Sequence, residues 1–240
     1  MLRGVSRYRK SDSREEFLEK HHARILSMRD MLNNNVLPNF CTKFSEIWLE
    51  IGFGYGENIV HQARNNKNVG IIASEPYIPG LAFCLRSLLD HDERMVDNYE
   101  AQHLPEGDRL LSHRVMLTNQ PAHILLPHLK NISKAFIMFP DPWQKRRHHK
   151  RRLVNAKLLS DLAQIMKNGA EVHVASDSQS YVKHIFRTFQ ANESFRYKGF
   201  IQDLDVKTWK WPKDWCRTRY QRAASDDDRP SAAMVFEFRR

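Results

Sequence analysis

Apolar residues along this chain keep two rhythms in alternation: short, nearly unbroken runs, and longer stretches in which they recur every three to four positions. The runs EIWLEI (46–51), VGIIAS (69–74), residues 113–117, KAFIMF (134–139), EVHVAS (171–176) and AAMVFEF (232–238) predict strands, and KAFIMF is apolar enough to be covered on both faces. Helical spacing predicts helices over about 79–89, from Pro121 to about Leu129, along Leu153, Leu158, Leu159, Leu162, Ile165 and Met166 up to Gly169, and through Tyr181, Ile185, Phe186 and Phe189. Upstream, Ser13 followed by Glu16 reads as a capping box opening a first helix through Met31, which Asn33, Asn34, Asn35 and Pro38 break. Residues 91–112 are polar without clear periodicity, and Trp209, Trp211, Pro212 and Trp215 crowd a loop before the DDD run at 226–228. Strands alternating with helices imply an α/β fold, a mostly parallel sheet with helices on both faces. The expected organisation is a basic arm and N-terminal helix over 1–36, then one domain over 37–240.

Composition narrows the partners. No apolar run approaches the ~18 residues a membrane span needs, and the basic N-terminus has no apolar segment behind it, so neither a membrane protein nor a secretory leader is expected. Three cysteines, Cys41, Cys84 and Cys216, lack any CxxC spacing, which argues against a disulfide framework and a zinc site and fits a reducing cytoplasm. The 38 Lys and Arg against 28 Asp and Glu leave a net charge of +10, the balance of a protein that meets a polyanion.

The segment EIGFGYGE puts Gly52, Gly54 and Gly56 between a strand and a helix, where alternate glycines let the backbone turn tightly against a ligand. Glu75 ends the next strand, where doubly wound nucleotide sites place a carboxylate on ribose hydroxyls. NAD and S-adenosylmethionine both use that arrangement. Glu50, just before the first glycine, would repel a pyrophosphate but suits a ligand carrying an ammonium and a sulfonium, which favours the methyl donor. Asn119, past the strand-like run at 113–117, suits an adenine edge in the right fold context, though a lone asparagine is more often a helix cap.

After the buried strand comes FPDPWQKRRHHKRR (139–152). Pro140 and Pro142 hold Asp141 out of helix at the carboxyl end of a strand, the sheet edge at which open α/β folds bind ligands. Lys145, Arg146, Arg147, Lys150, Arg151 and Arg152 follow within eight residues. A charge run alone is usually a solvated face. Beside a cofactor loop and next to Trp143, it is what a substrate with phosphates and a planar base requires. His148 and His149 have no partners at metal-ligand spacing, so no metal is expected.

With EIGFGYGE, EPYIPG (75–80) and PDPWQKRRHHKRRLV in register from about Leu37 to the C-terminus, the sequence resembles the bacterial tRNA (guanine-N(7)-)-methyltransferase family. The resemblance implies a Rossmann-like class I S-adenosylmethionine-dependent methyltransferase, cytoplasmic, acting on the variable-loop guanine of tRNA (position 46 in the standard scheme), as a monomer or homodimer. It places Glu50, the three glycines, Glu75, Asn119 and Asp141 around S-adenosylmethionine, with Asp141 also catalytic, and assigns Lys145, Asp177 and the stretch Thr218, Arg219, Tyr220, Gln221 to guanine and tRNA contacts. Arg146, Arg147, Lys150, Arg151 and Arg152 are the expected phosphate contacts. The family pattern departs at TRYQRAA, where Gln221 stands at a glutamate position and Ala223 and Ala224 follow. Nitrogen 7 of guanine carries an in-plane lone pair and no proton, so its methylation needs alignment and charge stabilisation rather than a general base. The competing readings are methylation of another RNA base, and a nonenzymatic RNA-binding protein on a methyltransferase scaffold.

Overall fold

Strand and helix alternate as the hydrophobic rhythm predicts. The computed structural model describes residues 14–21, 25–98, 110–202, 215–227 and 229–240. The arm at 1–12, Ser13, Trp209, Trp211, Pro212 and Asp228 lie outside the described residues. In chain order the elements are α1 (Arg14–Lys20), α2 (Met28–Leu32), α3 (Val36–Cys41), β1 (Glu46–Ile51), α4 (Glu57–Asn65), β2 (Val69–Ser74), α5 (Ile78–Asn98), α6 (Leu111–Arg114), β3 (Val115–Thr118) and α7 (Ala122–Leu125). Then follow β4 (Ile132–Met138), α8 (Ala156–Ile165), β5 (Met166–Ser176), α9 (Gln179–Gln190), β6 (Phe195–Gln202), α10 (Arg219–Asp226) and β7 (Ala232–Phe238).

The seven strands form one sheet in the order β3-β2-β1-β4-β5-β7-β6. β1 to β5 run parallel, and β7 pairs antiparallel with both β5 and β6. Every residue of β2 is buried and β1 is buried after Glu46, the pattern of central strands covered on both faces. Two cores result. Ile47, Leu49, Ile51, Ile137 and Val174 pack toward α3, α7, α8 and α9. Trp48, Ile71, Ala73, Phe136 and Met138 pack toward α1, α4 and α5 on the opposite face. The alternation sends Glu50 to the same side as Trp48, toward α4.

The first helix differs from expectation. α1 and α2 are separate, because Ile25 leaves the helix to bridge Leu117 of β3 and Leu26 N–H donates to the Leu117 carbonyl at 3.0 Å. A capping box opens α2: the Ser27 hydroxyl accepts from Asp30 N–H, and the Asp30 carboxylate accepts from Ser27 N–H. Pro38 does not break structure either, since it occupies the first turn of α3, where its missing N–H costs nothing. Phe17 and Met31 are buried, so residues 14–36 contribute to both cores.

Other boundaries move for equally local reasons. α5 runs well past residue 89, and buried Asp92 on it accepts from the N–H groups of Leu111 and Ser112, capping α6. Met166 belongs to β5 rather than to α8; Gly169, with φ +81°, lies where the register with β4 shifts. β6 and α10 have no counterpart in the hydrophobic rhythm. Among the described residues no helix is long and apolar enough to cross a membrane.

Candidate active site

Five parallel strands end at one edge of the sheet, where the predicted residues gather: Glu50 in the last pleat of β1 and the glycines just after it, Glu75 after β2, Asn119 after β3, Asp141 after β4 and Asp177 after β5. Gly52, Gly54 and Gly56 all have positive φ (72°, 56° and 78°), a conformation that favours glycine. Gly56 is also the residue from which α4 starts, and a Cβ there would strike Cys84. Gly80 on α5 seats against the Gly54 carbonyl so closely that a Cβ would collide with that backbone oxygen. That contact explains why EPYIPG must end in glycine.

Two buried carboxylates line this loop. Glu75 spends both oxygens on backbone, accepting from Gly54 N–H at 2.7 Å and from Tyr77 N–H at 2.8 Å, so it fixes the loop's shape. Burial raises its pKa, and nearby Asp141 adds to the rise. Glu50 is 2% exposed, and its Oε2 accepts from the Asn58 amide of α4 at 2.9 Å. Burial pushes its pKa up to about 8, against the Asn58 bond and with help from Glu57 and Glu75. A buried carboxylate held by a neutral amide among other acids is short of positive charge, so the loop fits a ligand bearing cationic groups. S-adenosylmethionine, with an ammonium and a sulfonium, has that character; a dinucleotide pyrophosphate does not. Nothing in the sequence singles out Asn58, although its place one residue after Glu57 on α4 puts it within reach of β1.

Asn119 accepts from the Gln120 side chain at 2.9 Å, and Ser74 donates to the Gln120 carbonyl at 2.6 Å, tying the β2 and β3 loops together. Asp141 is exposed between its prolines, flanked by Phe139 and Trp143, both at positive φ (52° and 43°). Strain of this kind outside glycine persists only where surroundings hold it. Phe139 N–H donates to the Ala175 carbonyl at 2.8 Å, and the Pro142 carbonyl accepts from Arg152 Nε at 3.0 Å.

The basic run is a 3-10 helix over Arg146–Arg151 rather than an irregular loop. Lys145, Arg146, Arg147, Lys150 and Arg151 are exposed, and Arg151 lies 5.0 Å from the Trp143 ring centroid. Arg152 departs from the expected phosphate set. It is 3% exposed, bonded to Pro142 and Ser180 and stacked over Tyr181, so its charge is spent inside the protein, holding the PDPW loop. A cleft of about 380 Å3 opens beside these residues, lined by Gly52, Ser74, Pro76, His123, Lys150 and Arg151 among others. It lies on the α7 and α8 side of the sheet, adjacent to the carboxylates rather than over them.

The C-terminal stretch divides by burial. Thr218 caps α10, its hydroxyl accepting from Gln221 N–H at 3.3 Å. Gln221 is fully buried, accepting from Arg217 Nε at 2.9 Å and donating to Ser225 at 3.2 Å. Both therefore build the helix; of the other two residues of this stretch, Tyr220 is exposed and Arg219 is half-buried. Asp177 is paired with Arg229, a partner the sequence did not point to. Arg229 also bonds Asp227, which makes it the hinge point of a small ionic group at the end of β5. Among the described residues no cluster of side chains suited to a metal ion is present.

Comparison with known proteins agrees with this geometry. Residues 45–224 match a family model described as "Putative methyltransferase". The tRNA (guanine-N(7)-)-methyltransferase of Ruegeria sp. (strain TM1040) is 35% identical over 193 residues, covering 80% of this chain and 67% of that protein. The enzyme of the same name from Bartonella henselae is 34% identical over 212 residues, covering 85% of this chain and 82% of that protein. Among solved structures, the 16S rRNA methyltransferase KamB superposes with a TM-score of 0.59 at 11% identity, covering 87% of this chain and 94% of that one, which is a likeness of fold. By these relatives and the family model, the chain belongs to the tRNA (guanine-N(7)-)-methyltransferase family, whose methyl donor is S-adenosylmethionine.

Proposed function

We propose that this protein transfers the methyl group of S-adenosylmethionine to nitrogen 7 of a guanine in tRNA, with the variable-loop guanine at position 46 as its target. The observation that carries the reading is one sheet edge holding a charge-starved buried carboxylate, an exposed aspartate and five exposed cations side by side. Glu50, Gly52, Gly54, Gly56, Glu75, Asn119 and Asp141 hold the donor, which supplies an electrophilic methyl group when bound.

What the chain contributes is position and charge. The purine nitrogen needs no proton removed, so no side chain acts as a base. Asp141, fixed by the Arg152 clamp on Pro142, orients the guanine and offsets the positive charge that grows on its ring as the methyl is received. Asp177 exchanges Arg229 for the guanine amino edge, with Lys145 alongside. Lys145, Arg146, Arg147, Lys150 and Arg151 engage phosphates, which positions tRNA without reading its sequence. The free thiols Cys41, Cys84 and Cys216 suit a reducing cytosol.

The test is methylation of an unmodified tRNA transcript, followed by nucleoside mass spectrometry and site mapping. The expected product is 7-methylguanosine at position 46 alone, absent from a transcript carrying adenosine there. Methyl on an exocyclic amine, or on another base, would overturn the assignment. Asp141→Ala is expected to slow transfer by about 10²- to 10³-fold, the usual loss for one electrostatic stabiliser, with tRNA binding intact. Transfer within a few-fold of wild type would remove Asp141 from the mechanism.

A further inference from the structure

The first turn of α10 lies on the donor loop and is fastened to it. Arg219, the first residue of the helix, turns back from solvent: its Nε donates to Glu57 Oε1 at 2.6 Å. Its guanidinium sits 3.5 Å from the Tyr55 ring centroid and 5.0 Å from that of Phe83 on α5. Arg222, one turn on, approaches the same Glu57 oxygen at 3.8 Å. Tyr220, 45% exposed, rests on Gly54, where a Cβ would stand 3.2 Å from its ring carbon Cε2. Gly54, Tyr55 and Glu57 of the donor loop are thus each engaged by residues 219–222. An exposed ion pair alone is worth little. Here the planar cation is stacked on one ring, near a second, and bonded to a carboxylate that opens α4, so helix and loop share one geometry.

Glu57 is also near enough to Glu50 to help raise its pKa, which links the clamp to the charge-starved end of the donor site. A loop ordered by the donor therefore holds the first turn of α10 in place, and a helix held from outside holds the loop. We propose that Glu57 and Arg219 are positioning residues whose clamp couples the two substrates, so that donor and tRNA each bind more tightly when the other is present. Thermodynamic linkage makes the effect equal in both directions. The inference rests on the tRNA-methylating reading above, since tRNA is the second ligand.

The experiment measures S-adenosylhomocysteine affinity by calorimetry with and without a saturating unmodified tRNA transcript carrying the variable-loop guanine, while the same preparation is assayed for methyl transfer. Wild type is expected to bind the product about tenfold more tightly with tRNA, a coupling of ordinary size. In Arg219→Ala and in Glu57→Gln that ratio is expected to fall to within about twofold of unity, and the double variant to lose nothing more, since both residues serve one contact. Arg219→Lys, which keeps the charge and loses the stacking, is expected to fall between. In steady state, the wild-type KM for the donor is expected to drop as tRNA is raised, and the Arg219→Ala value to stay flat. Thermal melts identify a variant that fails to fold, in which case Glu57→Gln probes the contact from its other side. A ratio unchanged in both single variants overturns the clamp. So does a wild type that methylates tRNA yet shows no coupling, and that result leaves the proposed reaction standing. A wild type that neither methylates nor responds to tRNA overturns both.

Discussion

The donor loop and the basic 3-10 helix sit at the same sheet edge but are built on opposite terms. Around the glycine loop, Glu50, Asn58 and Glu75 are buried and hydrogen-bonded, and three glycines hold positive φ. In the basic run, five cations stand in solvent on six residues of 3-10 helix and its cap. A small ligand with fixed shape is recognised by backbone and desolvated charge, where every atom counts. A large polyanion is recognised by many interchangeable charges, each worth little. Damage to the first region should therefore be steep and local, and damage to the second shallow and cumulative.

The sharpest way to break that contrast is Gly80→Ala. The added carbon meets the Gly54 carbonyl, which is backbone and cannot rotate away, so the donor loop must shift. Overpacking of this sort costs about 1–3 kcal/mol, which taken wholly from donor binding is about 5- to 150-fold in affinity. Calorimetric titration with S-adenosylhomocysteine reads it. Gly199→Ala on β6, where a Cβ would meet nothing, is the matched control and should bind as wild type. Equal affinity in both variants would mean that the loop is more forgiving than its packing implies.

Glu50 gives the next largest effect, and it carries a sign. Its folded pKa is raised, from 4.5 to about 8, so between those values the folded state keeps a proton that the unfolded state has lost. Stability in the absence of donor should then fall as pH rises from about 4.5 to about 8, by at most about 1.4 kcal/mol per pH unit. A cationic ligand favours the ionised carboxylate, so donor binding at neutral pH should release a proton, and affinity should climb by up to about tenfold per unit below pH 8. Calorimetry in buffers of different ionisation enthalpy counts the proton. Glu50→Gln should bind weakly and lose both pH slopes; a retained slope would assign the titration to another group.

The same contrast decides what was legible in the amino-acid order. The parallel strands, the glycine loop and the two buried glutamates beside it announce themselves because central strands are apolar on both faces and the loop is punctuated by glycine. α10 and β6 do not, since their burial depends on partners far away in sequence, such as Glu57 beneath Arg219. Thr218 before RYQRAASD was a helix cap available to be read. Nothing in a run of six basic residues distinguishes the fifth from the sixth, yet Arg151 is exposed and Arg152 is buried, because only Arg152 lies beneath the Pro142 carbonyl and beside Tyr181. Pairings such as Asp177 with Arg229 likewise need the sheet to be closed before they exist.

Arg152 tests this boundary from the inside. Losing a buried, charge-assisted hydrogen bond costs about 1.5–3 kcal/mol, and at about 2–4 °C per kcal/mol for a chain of this size the melting temperature of Arg152→Ala should fall by about 3–12 °C. Because the PDPW loop loses its clamp, kcat should fall with it, while the salt dependence of tRNA binding stays as in wild type.

The smallest effect completes the comparison. Arg146 and Arg147 are exposed, and among the described residues no hydrogen bond commits either to the body of the protein; Arg147 bonds only its neighbour His148. Changing both to Gln should leave the melting temperature and donor affinity untouched and weaken tRNA binding only a few-fold near physiological salt. The diagnostic is the slope of log K against log salt, which counts the counterions released and should shrink by about 0.7–0.9 for each phosphate no longer neutralised. An unchanged slope in Arg146→Gln/Arg147→Gln, or a reduced slope in Arg152→Ala, would invert the assignment, placing phosphate on the buried arginine and leaving the exposed pair as solvated surface. The two variants together separate a cation that binds tRNA from one that shapes the loop on which tRNA is methylated.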